Sequence, residues 1–211
     1  MKFIKWLGII ILLLVVVGGG YIWLSLRAMK SADASVVDLG IKYTEADATR
    51  AIKDKAGVEL DNISGLYLGS NPATEGSKTV DTVFSNAEVS SAGNYANAAK
   101  GPFKNVQVKM LGNNEGEASG FLAVSQLHAP VYVKGTVTVS GPKSFTISAS
   151  ELKVGNFEVP KVLIKQAESR FNSYLNGQLN KVSGLEIERV DINNGQVHFV
   201  GKVPSKVTAG Q

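Results

Sequence analysis

The chain contains no cysteine, which excludes disulfides, a thiol nucleophile, a thiolate metal site and a lipid-modified cysteine. Histidine is nearly absent as well. His128 and His198 are seventy residues apart, and neither stands in a metal-ligand spacing such as H-x-x-x-H. His198 alternates with Val197 and Phe199, which puts it on the polar side of a strand. There is no G-x-S-x-G nucleophile elbow, and Gly18-Gly19-Gly20 lies inside an apolar run rather than in a phosphate loop. Glu186, Glu188 and Asp191 are spread along a strand with Arg189 between them, and Asn113 to Glu117 forms a turn. Both groups read as solvated surface rather than as an acid–base pair or a calcium loop. The expectation is no catalytic residue, no cofactor and no metal site.

An excess of charge is missing from the body too. Residues 1–30 hold four of the 22 Lys and Arg and none of the 18 Asp and Glu, so residues 31–211 carry 18 of each sign. The overall +4 therefore belongs to the N-terminal region. A neutral body argues against nucleic acid as a partner.

What is present begins with a long apolar run. From Trp6 to Leu24 there are nineteen residues without a charge. At 1.5 Å per residue these are about enough to cross a ~30 Å hydrocarbon core. Trp6, Tyr21 and Trp23 sit near its ends, where amphipathic aromatics favour the interface. A cleaved signal peptide is the rival reading, with Ala32-Asp33-Ala34 as its small-residue site. The run exceeds the ~7–15 residues of an ordinary signal core, and that site lies well beyond it. The expected plan is a cytoplasmic tail at 1–5, a single transmembrane anchor at 6–26 in the bilayer and a linker at 27–35. An extracytoplasmic domain follows at 36–204, then a flexible tail at 205–211. Two cations flank each side of the span, Lys2 and Lys5 before it and Arg27 and Lys30 after it; the α-amino group before it and Asp33 and Asp38 after it place the N-terminus inside.

The body alternates helix and strand signals. Val36 to Tyr43 reads as extended. Thr44-Glu45-Ala46-Asp47 and Ser85-Asn86-Ala87-Glu88 are both Ser/Thr-x-x-acid helix starts. The first helix runs to about Ala56 and the second to about Ala99. Gly93, Asn94 and Asn97 lower the propensity of the second. Pro160 opens a third helix, in which Leu163, Ile164, Ala167, Phe171, Tyr174 and Leu175 recur at three and four residues. Strands are expected at 63–68, 79–84, 106–110 and 117–124. Val131, Val133, Val137 and Val139 share one side of a half-buried strand, and Phe145, Ile147 and Ala149 return along it. The apolar phase slips between Ala149 and Leu152, and again between Ile187 and Val190. The slip between Ile187 and Val190 needs one extra residue, hence a β-bulge at Glu188-Arg189, and the slip between Ala149 and Leu152 suggests a second bend in the sheet.

Helix followed by hairpin recurs at 44–84, 85–124 and 160–203. The last two copies share an Asn-Asn turn with glycine, a similarity explained equally by ancestry or by common turn chemistry. The fold class is α+β: a transmembrane helix, then one domain with a curved antiparallel sheet packed against about three helices. Val131, Val133, Phe145, Ile147, Leu163, Phe171, Leu175, Ile192, Val197 and Phe199 line its apolar side. They serve either as core or as the wall of a groove for an apolar ligand.

Four stretches carry a family resemblance: "YTEADATRAI", "FKNVQVKMLGNNEGEASGFL", "ELKVGNFEVPKVL" with "FNSYLNGQLN", and "GLEIERVDINNGQVHFVG". In order and pattern the chain resembles single-pass, membrane-anchored bacterial envelope proteins related to the LmeA-like phospholipid-binding family. More remotely, it resembles tubular lipid-binding (TULIP-like) domains. The resemblance implies a curved sheet on helices and non-catalytic binding of a lipid or another apolar envelope molecule. The alternative is a structural module that binds another envelope protein through a sheet edge.

Overall fold

A computed structural model describes residues 35–60, 73–97, 103–124 and 127–208. The expected tail at 1–5, the anchor at 6–26, nearly all of the linker and the strand at 63–68 lie outside these residues. Among the described residues no helix is long and apolar enough to cross a membrane.

In chain order the elements are α1 (Glu45–Thr49), continued by a π-helical turn (Arg50–Lys55), β1 (Glu59–Leu60), β2 (Ala73–Glu75), β3 (Lys78–Ser85), α2 (Asn86–Asn97), β4 (Phe103–Gly112) and β5 (Glu115–Val124). Then come β6 (Leu127–Gly141), β7 (Ser144–Val154), β8 (Phe157–Glu158), α3 (Lys161–Leu179), β9 (Glu186–Asn193), β10 (Gln196–Val203) and β11 (Lys206–Thr208). The helix starts are built as their sequences predict. Thr44 N donates to Asp47 Oδ2 at 2.7 Å. Ser85 N donates to Glu88 Oε2 at 2.8 Å, and Glu88 N returns a bond to Ser85 Oγ at 3.3 Å.

The fold is α+β, as expected, but the single sheet is divided into three. One is five-stranded, in the order β4-β5-β6-β7-β8. The second is β3-β10-β9 and the third β1-β11-β2. The pairing is antiparallel except for β1 with β11. Residues 206–208, expected in a flexible tail, form β11. The segment 36–43 is not a strand. It crosses β4, where Leu39 N and Ile41 N donate to Gln107 Oε1 at 2.9 and 3.2 Å. Of the first helix-and-hairpin copy, β3 pairs with β10, and the other expected strand, 63–68, lies outside the described residues.

The anticipated bulge is present, and the second bend is also a bulge. Lys134 pairs with Glu151 and Gly135 with Ala149, which leaves Ser150 over. Arg189 pairs with Val200 and Ile187 with Gly201, which leaves Glu188 over. Each bulge faces a glycine. A Cβ on Gly135 would stand 2.3 Å from Ser148 O, and one on Gly201 would stand 2.1 Å from Glu186 O. The partner backbone swings inward at the bulge and leaves no room for a side chain. A third bulge lies on β4 near Asn105 (φ +52°), where the apolar phase slips between Phe103 and Val106.

The two similar turns meet. Asn113 and Asn114 have φ of +53° and +60°, and Asn194 and Gly195 have +44° and +81°. Positive φ at both central residues matches strand twist and gives tight hairpins. Asn114 N donates to Ile192 O, Asn194 N to Leu111 O and Gly195 N to Met110 O, each at 3.1 Å. Asn114 Oδ1 accepts from Ile192 N at 2.8 Å. The shared turn chemistry thus joins the two larger sheets.

Candidate functional site

A sheet edge leaves N–H and C=O groups unpaired at every second residue. Both long edges of the five-stranded sheet are covered by helices through polar side chains. On β4, Asn86 Oδ1 accepts from Met110 N and Ser90 Oγ from Val108 N, both at 2.8 Å. Asn94 accepts from Val106 N at 2.9 Å and donates to Val106 O at 2.6 Å. On β7, Asn176 accepts from Phe145 N and donates to Phe145 O, both at 2.9 Å. Asn172 bonds Ile147 N and O at 2.9 and 3.0 Å. Glu168 Oε1 accepts from Ala149 N at 2.5 Å.

The reason is a match of repeats. Four helical residues rise about 6 Å, and two strand residues advance about 6.6 Å. Short side chains at i, i+4 and i+8 of a helix therefore meet the outward groups of an edge strand in register. The signal is legible in retrospect: Asn86-x3-Ser90-x3-Asn94 and Glu168-x3-Asn172-x3-Asn176 each adjoin a strand. Asparagines that lower helix propensity are here replacing a neighbouring strand.

Between these ladders lies the apolar face of the sheet. Val131 pairs with Val154, Val133 with Leu152, Val137 with Ile147 and Val139 with Phe145. On β5 the same face carries Gly116, Ala118 and Gly120, opposite Gly135, Val133 and Val131. One end is closed, where Leu122, Ala129 and Val154 are buried and Phe157 and Val159 pack against Ala129 and Val154. Toward the β6–β7 turn Val133, Val137, Val139, Phe145 and Ile147 are all half-buried, and β9 meets the sheet at that end, where Ile187 N donates to Pro142 O.

The ten expected lining residues therefore divide. Val131, Val133, Phe145 and Ile147 share this face. Leu163 and Leu175, half-buried, and Phe171, 38 % exposed, lie on α3, which covers the β7 edge. Ile192, Val197 and Phe199 belong to the other sheet, where Phe84, Val197 and Ile192 form one cross-strand row and Thr82, Phe199 and Val190 the next.

Two other polar clusters are engaged internally. On the opposite face of the five-stranded sheet Tyr132 OH donates to Glu117 at 3.1 Å. Burial, and then that carboxylate, push its phenol up to about 12. On the outer face of the three-stranded sheet His198 Nε2 lies 2.5 Å from Asp81 Oδ1, and its Nδ1 lies 3.4 Å from Arg189 Nη2. A neutral imidazole satisfies both by donating from Nε2 and accepting at Nδ1, which leaves no free nitrogen for a base. Among the described residues no group of three His, Asp or Glu could hold a metal ion. Ser119 Oγ is buried without a hydrogen-bond partner.

No protein-family model, curated protein or solved structure matches the chain.

Proposed function

We propose that this chain is a membrane-anchored, extracytoplasmic binding domain that holds a lipid acyl chain, without catalysis, along the apolar face between the two ladders. The observation that carries this reading is the half-burial of Val133, Val137, Val139, Phe145 and Ile147 on a sheet whose edges are locked. An acyl chain gains about 0.8 kcal/mol for each methylene taken out of water. A shallow apolar floor on a rigid frame supplies that without a closed cavity. The charge-free run at 6–24 would keep the floor beside its lipid supply, with the N-terminus in the cytoplasm. The resemblance to LmeA-like envelope proteins points the same way.

Docking of an envelope protein on a sheet edge is less well supported. The β4 and β7 edges carry ladders, and β9 is bonded to the turns of the larger sheet through Ile192 and through Ile187 N, which donates to Pro142 O at 2.6 Å.

The test is native mass spectrometry of the full chain, released from nanodiscs at collision energies that strip annular lipid. The wild type retains about one lipid per chain, and Val133→Arg with Ile147→Arg loses it. Equal retention by both, or none by either, overturns the reading.

A further inference from the structure

We propose that the solvent side of α3 is a docking surface for an anionic bilayer. The inference rests on the anchoring proposed above, which holds the domain within reach of the membrane. Lys161, Val162, Lys165, Gln166, Ser169, Arg170 and Ser173 are all exposed along this helix. Val162, 71 % exposed, stands out among the large apolar residues left in solvent. It sits next to Lys161 and three residues from Lys165.

Charge is separated across the helix. Its one acid, Glu168, is turned into the sheet edge, where it accepts from Ala149 N. No carboxylate among the described residues forms an ion pair with Lys161, Lys165 or Arg170. The exposed Glu158 lies just before the helix and Lys181 just after it. In a body with 18 charges of each sign, this helix face is thus locally cationic. Two lysines beside an exposed valine, with Arg170 about two turns further along the helix, match a bilayer interface, where the cations meet lipid phosphates and the valine enters the acyl boundary.

The tether permits this contact. The segment at 39–41 is held on β4, three strand spacings or about 14 Å from β7. The linker expected at 27–35 would span up to about 30 Å if extended. Docking through α3 would hold the apolar face of the sheet beside the lipid surface.

Because the chain has no cysteine, Val162→Cys offers one labelling position for an environment-sensitive fluorophore. The full chain is placed in nanodiscs of phosphatidylcholine, with or without phosphatidylglycerol. The expected result is a blue shift and protection from an aqueous quencher only with phosphatidylglycerol, reversed by high salt. A label at Thr138→Cys, exposed on the polar face of β6, stays unchanged. Each cation contributes about fivefold to surface partition, so Lys161→Gln, Lys165→Gln and Arg170→Gln together weaken binding to anionic vesicles about a hundredfold. Protection that is absent, or equal in both lipids, overturns the proposal. A chain that fails to insert into discs but floats with phosphatidylglycerol vesicles in a salt-dependent way refutes the anchor and upholds the docking surface. A chain that does neither refutes both.

Discussion

Single residues decide where this fold bends and how it responds to acid. Gly135 and Gly201 face the bulges at Ser150 and Glu188, and a methyl on either would press on backbone oxygen at 2.3 or 2.1 Å. Backbone cannot yield as a side-chain tip can. Gly135→Ala and Gly201→Ala should each destabilise by about 1–3 kcal/mol in denaturant unfolding, whereas Gly177→Ala, with nothing within 4 Å, should not. Glu88 is the other sensitive position. Its side chain is 2 % exposed, and it accepts from Lys55 Nζ at 2.7 Å and from Ser85 N at 2.8 Å. Burial raises its pKa, but the Lys55 bond and the Ser85 amide outweigh that and hold the carboxyl below its ordinary 4.5. A folded value below the unfolded one stabilises above pH 4.5, and that contribution is lost as pH falls through the folded value. Glu88→Gln should lose about 1–2 kcal/mol at neutral pH. Its unfolding curve should approach that of the wild type in acid below the folded value.

At the scale of elements, the helices are joined to the sheet by amides and hydroxyls more than by apolar packing. Ile164 is the buried hydrophobic residue of α3, at its N-terminal end. The prediction concerns hydrogen exchange. Asn172→Ala with Asn176→Ala should speed exchange at the Phe145 and Ile147 amides by an order of magnitude or more. Val131 and Val133, held inside the sheet by β5 and β7, should change little. Uniform acceleration would mean that the ladder serves global stability instead of covering an edge.

The elements were legible where one physical signal dominated. Capping boxes at Thr44 and Ser85, alternation along 131–139 and phase slips at 149–152 and 187–190 each fix a local geometry, and the helix starts, the β6–β7 hairpin, the bulge at Glu188 and a second bend follow from them. The division into three sheets was not legible. Alternation reports which side of a strand is apolar but not which strand lies beside it. Ile192, Val197 and Phe199 therefore looked like companions of Val131 and Val133, although they face a different partner set. The ladders were hidden for another reason: propensity treats Asn94 and Asn172 as local liabilities, while their role depends on a strand distant in sequence.

At the scale of the whole molecule, the described residues form a polar-locked frame beside an apolar floor whose side chains are half-buried. An acyl chain is proposed to complete the cover of that floor. The most direct measurement reconstitutes the full chain with a phospholipid carrying a diazirine near the end of its acyl chain. After irradiation, the labelled peptides are mapped by mass spectrometry. The account predicts labelling within residues 131–139 and 145–152, beyond what the apolar run at 6–24 acquires from the bilayer, and its loss in Val133→Arg with Ile147→Arg. Labelling confined to residues 6–24, or a body signal that the two substitutions leave unchanged, would contradict it.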